Sequence, residues 1–150
     1  MTDKEDRRTY LLKEIDIVQD VINRTAHNSF LIKGWTVTLV VATLLLKGSN
    51  TQVVLAYIPL LVFWFLDAYF LWQEKMYREL YKWVIENRLK TDEYLLDMNA
   101  YRFRDKVPAI PRIMFSITLG WFYGSVAVLI VIYSIILLIQ KAIAIWSVIL

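Results

Sequence analysis

With 150 residues the chain is one domain by length, but 58% of it is apolar, against roughly 45–50% in soluble domains. Of its 17 basic and 14 acidic residues, all but Lys47, Asp67 and Lys141 fall within residues 1–33 and 73–112. Such segregation excludes an ordinary soluble globule, a disordered chain and a secreted disulfide scaffold, and leaves an all-α membrane protein.

Residues 4–29 read as an amphipathic helix. Leu11, Ile15, Val18 and Ile22 recur at helical spacing, while Lys13, Asp16, Asp20, Asn23 and His27 run down the opposite side. No secretory leader is read here, because a leader's apolar core follows a short basic start and this chain begins with a long polar-patterned stretch. The first span is therefore expected to be an uncleaved anchor. Nothing breaks the helical pattern before Gly34, so the same helix is expected to continue into a first span at about residues 30–46. That length is near the lower limit for crossing a bilayer. Lys47-Gly48-Ser49-Asn50-Thr51-Gln52 is a turn by composition.

The second span is expected at 53–72, kinked at Pro59. It closes on Phe63, Trp64, Phe65, Tyr69, Phe70 and Trp72, aromatics of the kind that favour the membrane interface. Gln73–Leu89 continues as an amphipathic helix. Lys75, Arg78, Glu79, Lys82 and Glu86 form its polar stripe, and Met76, Tyr77, Leu80, Tyr81 and Val84 its other side. A short further helix is expected over Thr91–Tyr101, capped by Thr91 or Asp92, so that helical structure outside the membrane reaches to about residue 105. Pro108 and Pro111 mark a break. Residues 113–139 carry no charge and form the third span. Ala142–Leu150 is too short to cross, and either lies in the interface or extends the third helix. The first two spans and their extensions thus make a helical hairpin of two long helices, near 5–46 and 53–89.

Orientation follows from the basic residues beside the spans. They crowd the N-terminal segment and the 73–112 loop, whereas the hairpin turn has Lys47 and the tail Lys141. The N-terminus and central loop are therefore expected on the cytoplasmic side, with the turn and the C-terminus outward. About a turn centred between residues 49 and 50, Lys33 mirrors residue 66, next to Asp67. The only acid within a span then lies level with the base that opens the first span. A charge at the membrane centre costs about 2.5–3.5 kcal/mol and less near the edge, so a Lys33–Asp67 ion pair relieves both residues. Such a pair either fixes the register of the hairpin or marks a gate or ion path. Small residues carry a second signal. Gly34, Thr38 and Ala42 in the first span, and Ser116, Gly120 and Gly124 in the third, recur every four residues. That spacing permits close helix approach in lipid, either within the fold or between subunits.

Enzymatic chemistry is not expected. There is no cysteine and one histidine, His27, so neither a thiolate nor a cluster of histidine ligands is on offer. No Ser/His/Asp set, phosphate-cradling glycine loop or catalytic carboxylate pair is legible, and no cofactor or metal is expected. Glu86, Asp92, Glu93 and Asp97 read as solvated helix charges. The net charge of +3 is small and its bases are interleaved with acids, so nucleic acid is not an expected partner.

Two stretches point further. Asn28-Ser29-Phe30-Leu31-Ile32-Lys33-Gly34-Trp35 runs into Thr36-Val37-Thr38-Leu39-Val40, and Phe63-Trp64-Phe65-Leu66-Asp67-Ala68-Tyr69-Phe70-Leu71 is followed by Gln73-Glu74 and Tyr77-Arg78-Glu79-Leu80-Tyr81. Over roughly residues 10–85 this resembles small bacterial membrane proteins laid out like the RipA-type oligomeric membrane proteins and the SLATT-type effectors of bacterial defence. The resemblance implies a hairpin protruding into the cytoplasm, ring-like homo-oligomers and membrane disruption in anti-phage immunity. The third span and apolar tail depart from a plain two-span plan and leave the subunit number open. The expected function is an oligomer that forms or gates a pore or perturbs the membrane. The alternative is a non-enzymatic anchor that recruits a cytoplasmic protein through its amphipathic helices.

Overall fold

The computed structural model describes residues 4–45 and 51–149. The described residues are mostly helical, with no strand among them. They form α1 (Lys4–Leu45), α2 (Thr51–Asn87), a 3₁₀ turn (Ala100–Lys106), α3 (Ile110–Met114) and α4 (Ile117–Ile149). Three of these helices, α1, α2 and α4, are long and apolar enough to cross a membrane. The two long helices expected from periodicity are therefore present, each without interruption, and Pro59 lies inside α2 without ending it. The expected turn at Lys47–Asn50 lies outside the described residues, while Thr51 and Gln52, read as part of it, open α2 instead.

The chain divides into two compact units, Met1–Leu31 with Asp67–Ile113, and Ile32–Leu66 with Met114–Leu150. In the first, α1 buries Glu14, Val18, Thr25 and Ser29, with Leu11, Ile15, Val21 and Ile22 half-buried. The α2 side buries Ala68, Trp72, Met76, Leu80 and Val84, and Ala100, Phe103 and Ile113 complete the core. Positions 14, 18, 21/22, 25 and 29 return every three or four residues, the period that keeps one helix face against its neighbour. Lys13, Asp16, Asp20, Asn23 and His27 are exposed, as their pattern predicts.

In the second unit the packed positions are Ile32, Thr36 and Val40 on α1, Ala56 and Leu60 on α2, and Leu119, Tyr123, Val126 and Ile130 on α4. Aromatic contacts tie α2 to α4. Trp64 stacks on Tyr123 with ring centroids 5.7 Å apart, and the Tyr123 hydroxyl donates to the Phe63 carbonyl at 3.1 Å. The Tyr133 hydroxyl donates to the Leu44 carbonyl of α1 at 3.0 Å. Many of the remaining apolar side chains on these segments are exposed, Val54, Leu61, Val62, Leu129 and Leu138 among them, as suits helices solvated by lipid tails.

Two further expectations need correction. No helix covers Thr91–Tyr101. The Thr91 hydroxyl accepts the Glu93 amide at 3.1 Å in a local turn, and helical geometry resumes only at Ala100 as 3₁₀, with Asn99 as its cap through the Tyr101 amide. Helical structure is therefore not continuous from 73 to 105. The third span does not begin smoothly at residue 113 either, for the helix breaks at Phe115–Ser116. The Met114 carbonyl accepts the Trp64 indole N–H at 2.9 Å, which satisfies an acceptor that a continuous helix would use within itself. Of the two placements expected for the tail, the structure shows the second, with Ala142 to Ile149 continuing α4. At 1.5 Å per residue that helix is about 50 Å long, well beyond the roughly 30 Å hydrocarbon core.

Candidate functional site

Polar side chains interrupt the apolar faces of both long helices, and they are the natural candidates for a working site. Asp67 is fully buried, and its Oδ1 accepts the hydroxyl of buried Ser29. A buried carboxylate needs such donors, because the desolvation cost is otherwise uncompensated. Lys33 is half-buried on α1, one helical turn past Ser29. Thr25 and Thr36 turn their hydroxyls back on their own helix, to Val21 at 2.8 Å and Ile32 at 2.8 Å. Thr38 and Thr43 do likewise, to Gly34 at 2.9 Å and Leu39 at 2.7 Å.

The small-residue stripes fall outside the packed face of their helices. Gly34, Thr38 and Ala42 are exposed, two positions along from the buried Ile32, Thr36 and Val40. Ser116, Gly120 and Gly124 are half-buried, beside the packed positions Leu119 and Tyr123. A Cβ added at Gly34, Gly120 or Gly124 would meet nothing within 4 Å. Among the described residues, no side chain or neighbouring backbone therefore approaches these three glycines closely enough to require the absence of a Cβ.

The most highly bonded centre in the first unit was not legible as a site. Arg88 and Glu14 are both fully buried. Arg88 Nε donates to Glu14 Oε2 at 2.5 Å and Nη2 to Glu14 Oε1 at 2.9 Å, a bidentate pair. The other donors reach the carbonyls of Thr91 at 3.1 Å, Glu93 at 3.0 Å and Tyr94 at 3.0 Å. Glu14 Oε1 also accepts the Leu96 amide at 2.7 Å. Tyr94 and Leu96 are the two described non-glycine residues with positive φ, at 54° and 58°. Both are therefore held by the ion pair itself. The usable signal was position: Glu14 lies four residues before Val18 and Arg88 four after Val84, each a charge on an apolar stripe.

Around this centre Asp92, read as solvated, pairs with Arg7 at 3.0 Å. The Arg102 guanidinium lies over Trp83, Tyr94 and Phe103 at 4.6, 4.3 and 5.1 Å. Asp97, 3.6 Å away, is within ion-pair range but too far for a hydrogen bond. Cation–π attraction is the main contact holding Arg102 in place. Among the described residues no three His, Asp or Glu side chains gather as a metal site would require.

Comparison with known proteins finds no matching family model, no matching curated protein and no matching solved structure.

Proposed function

We propose that the chain works as a homo-oligomer in a bacterial inner membrane, N-terminus in the cytoplasm, where it forms or gates a pore or otherwise breaches the bilayer. The setting implied by its family resemblance is anti-phage defence. The observation that carries this reading is the uncovered Gly34–Thr38–Ala42 face of α1, with open space at the Gly34 Cβ position. Lipid tails are as apolar as the side chains, so helices associate there by close packing, and small residues permit it. A second copy of the chain is the expected occupant. Thr38 and Thr43 direct their hydroxyl protons to their own helix, which favours a conduction path that is weakly polar and gates by dewetting.

Two measurements test the reading. The purified detergent complex should have a mass several times 17.8 kDa, and liposomes carrying the protein should leak ions. A monomer that leaves liposomes sealed refutes it. An oligomer that leaves them sealed favours the second reading, a membrane anchor that recruits a cytoplasmic protein. That reading draws on the first unit, whose loop is ordered by Glu14 and Arg88 into a defined surface.

A further inference from the structure

The polar stripe of α2 is more than a solvated helix face. Lys75, Arg78, Glu79 and Lys82 form one wall of an open cleft of about 850 Å³ within the first unit. Gln19, Ile22 and Asn23 of α1 form a second wall, and Lys106, Val107 and Pro108 close the third. Such a volume lies within the range of small-ligand sites, roughly 300–1,000 Å³.

Its charge is unbalanced in a specific way. Arg78 is paired with Glu74 at 2.7 Å and Lys82 with Glu79 at 2.5 Å, the usual arrangement along an exposed helix. Both bases keep more than half of their side-chain surface exposed, at 59% and 63%. Lys75 and Lys106 are different: among the described residues neither has a carboxylate within ion-pair distance. They come from separate elements to line the same cleft, and Glu79, already engaged by Lys82, is the one acid on its walls. Neutral donors stand beside them, the Asn23 amide and the Tyr81 hydroxyl, which accepts from Gln19 at 3.2 Å. Lys106 Nζ lies over the Phe103 ring, 5.2 Å from its centroid, and two lysines on separate walls of one cleft, with amide and hydroxyl donors between them, suit an anion with several acceptor oxygens.

We propose that this cleft binds a phosphate-bearing anion, with the headgroup of an anionic phospholipid as its expected source. Position in the sequence supports the lipid. Lys75 follows Trp72, the end of the apolar run of α2, by three residues, and Pro108 precedes the charge-free run from Ile113 by five. Bases at such boundaries meet the phosphate layer of a bilayer.

The test uses the whole protein in nanodiscs of phosphatidylcholine, with or without phosphatidylglycerol, and reads retained lipid by native mass spectrometry. A parallel titration of the detergent-solubilised protein with glycerol phosphate and pyrophosphate reads soluble binding. The wild type should retain phosphatidylglycerol over phosphatidylcholine. Lys75→Gln with Lys106→Gln should weaken that retention about thirtyfold, since each base near an anionic surface contributes about a factor of five. Lys13→Gln, at an exposed position outside the cleft, should not. Binding of the soluble phosphates alone, lost in the same double variant, would support the anion site and assign it to a free ligand. A photoreactive phosphatidylglycerol headgroup should label residues 73–83 and 104–110 of the wild type, a readout that does not depend on how the variants fold. Absence of binding in both arms, binding undiminished in the double variant, or labelling confined to other segments would overturn the proposal.

Discussion

Glu14→Gln should release the loop that follows α2 while leaving the membrane helices intact. The glutamine keeps the shape of the side chain and one acceptor oxygen, but presents an amide N–H₂ where the carboxylate received Arg88 Nε or Nη2. Arg88 then remains charged and fully buried without its counter-charge. Breaking a buried pair from one side costs about 3–5 kcal/mol. The loop has little to resist with, since Tyr94 and Leu96 sit at positive φ, a conformation that costs of order 1–3 kcal/mol per residue and persists only when its surroundings enforce it. The opening equilibrium of residues 88–99 should therefore rise by on the order of 10²–10⁴. Hydrogen exchange by mass spectrometry in detergent reads this directly. Peptides covering 88–99, with the Leu96 amide among them, should lose most of their protection, while those of 117–139 exchange as before. Arg88→Met should not be milder, because it also strands the carbonyls of Thr91, Glu93 and Tyr94. Unchanged exchange at 88–99 in Glu14→Gln would refute the idea that the ion pair holds the loop.

Three further outcomes are expected. The mirror position of Lys33 and Asp67 predicts that Lys33→Met or Asp67→Asn alone destabilises more than the double variant, each by at most about 2.5–3.5 kcal/mol; additive melting shifts in detergent would show that the two do not interact. Gly34→Leu and Gly120→Leu should leave the subunit folded, since a side chain there starts in open space, yet a loss of about 1.4 kcal/mol per contact would lower assembly tenfold; an unchanged complex mass would mean that both faces meet lipid. Trp64→Phe removes the N–H that engages the Met114 carbonyl at 2.9 Å and should cost about 0.6–1.7 kcal/mol, as such bonds do in membranes; an unshifted thermal melt would show that the bond adds no stability.

Much of the architecture is legible without coordinates, and for a clear reason. In a bilayer every backbone polar group must be satisfied within its own helix, so a long apolar run has one structural outcome. The apolar stretches of α1, α2 and α4 are of this kind, and so is the unbroken passage of α1 through Gly34, where helical periodicity never lapses. Local rules fail where a distant group takes over a backbone bond. Trp64 draws on the Met114 carbonyl and the helix breaks there, although nothing in residues 113–117 announces a stop. Thr91 and Asp92 have the composition of a helix cap, yet Arg88 claims the carbonyls of Thr91, Glu93 and Tyr94 and holds them out of helical geometry.

The residues of the candidate sites divide in the same way. Asp67 was marked by sequence because a carboxylate in an apolar run is conspicuous wherever the run folds. The small-residue stripes were visible as a spacing, but which side of each helix packs was not. Burial of Ile32, Thr36 and Val40, and not of Gly34, Thr38 and Ala42, is decided by how neighbouring helices rotate against α1. Glu14, Arg88 and the lysines of the cleft were hidden for the opposite reason, since each sits in a segment already rich in charge. There a buried charge such as Glu14 or Arg88 looks like a solvated one until packing brings its counter-charge beside it. Hydrophobic periodicity is a property of one helix and can be read along it, whereas pairing of charges depends on residues 74 positions apart and is decided only when the hairpin closes.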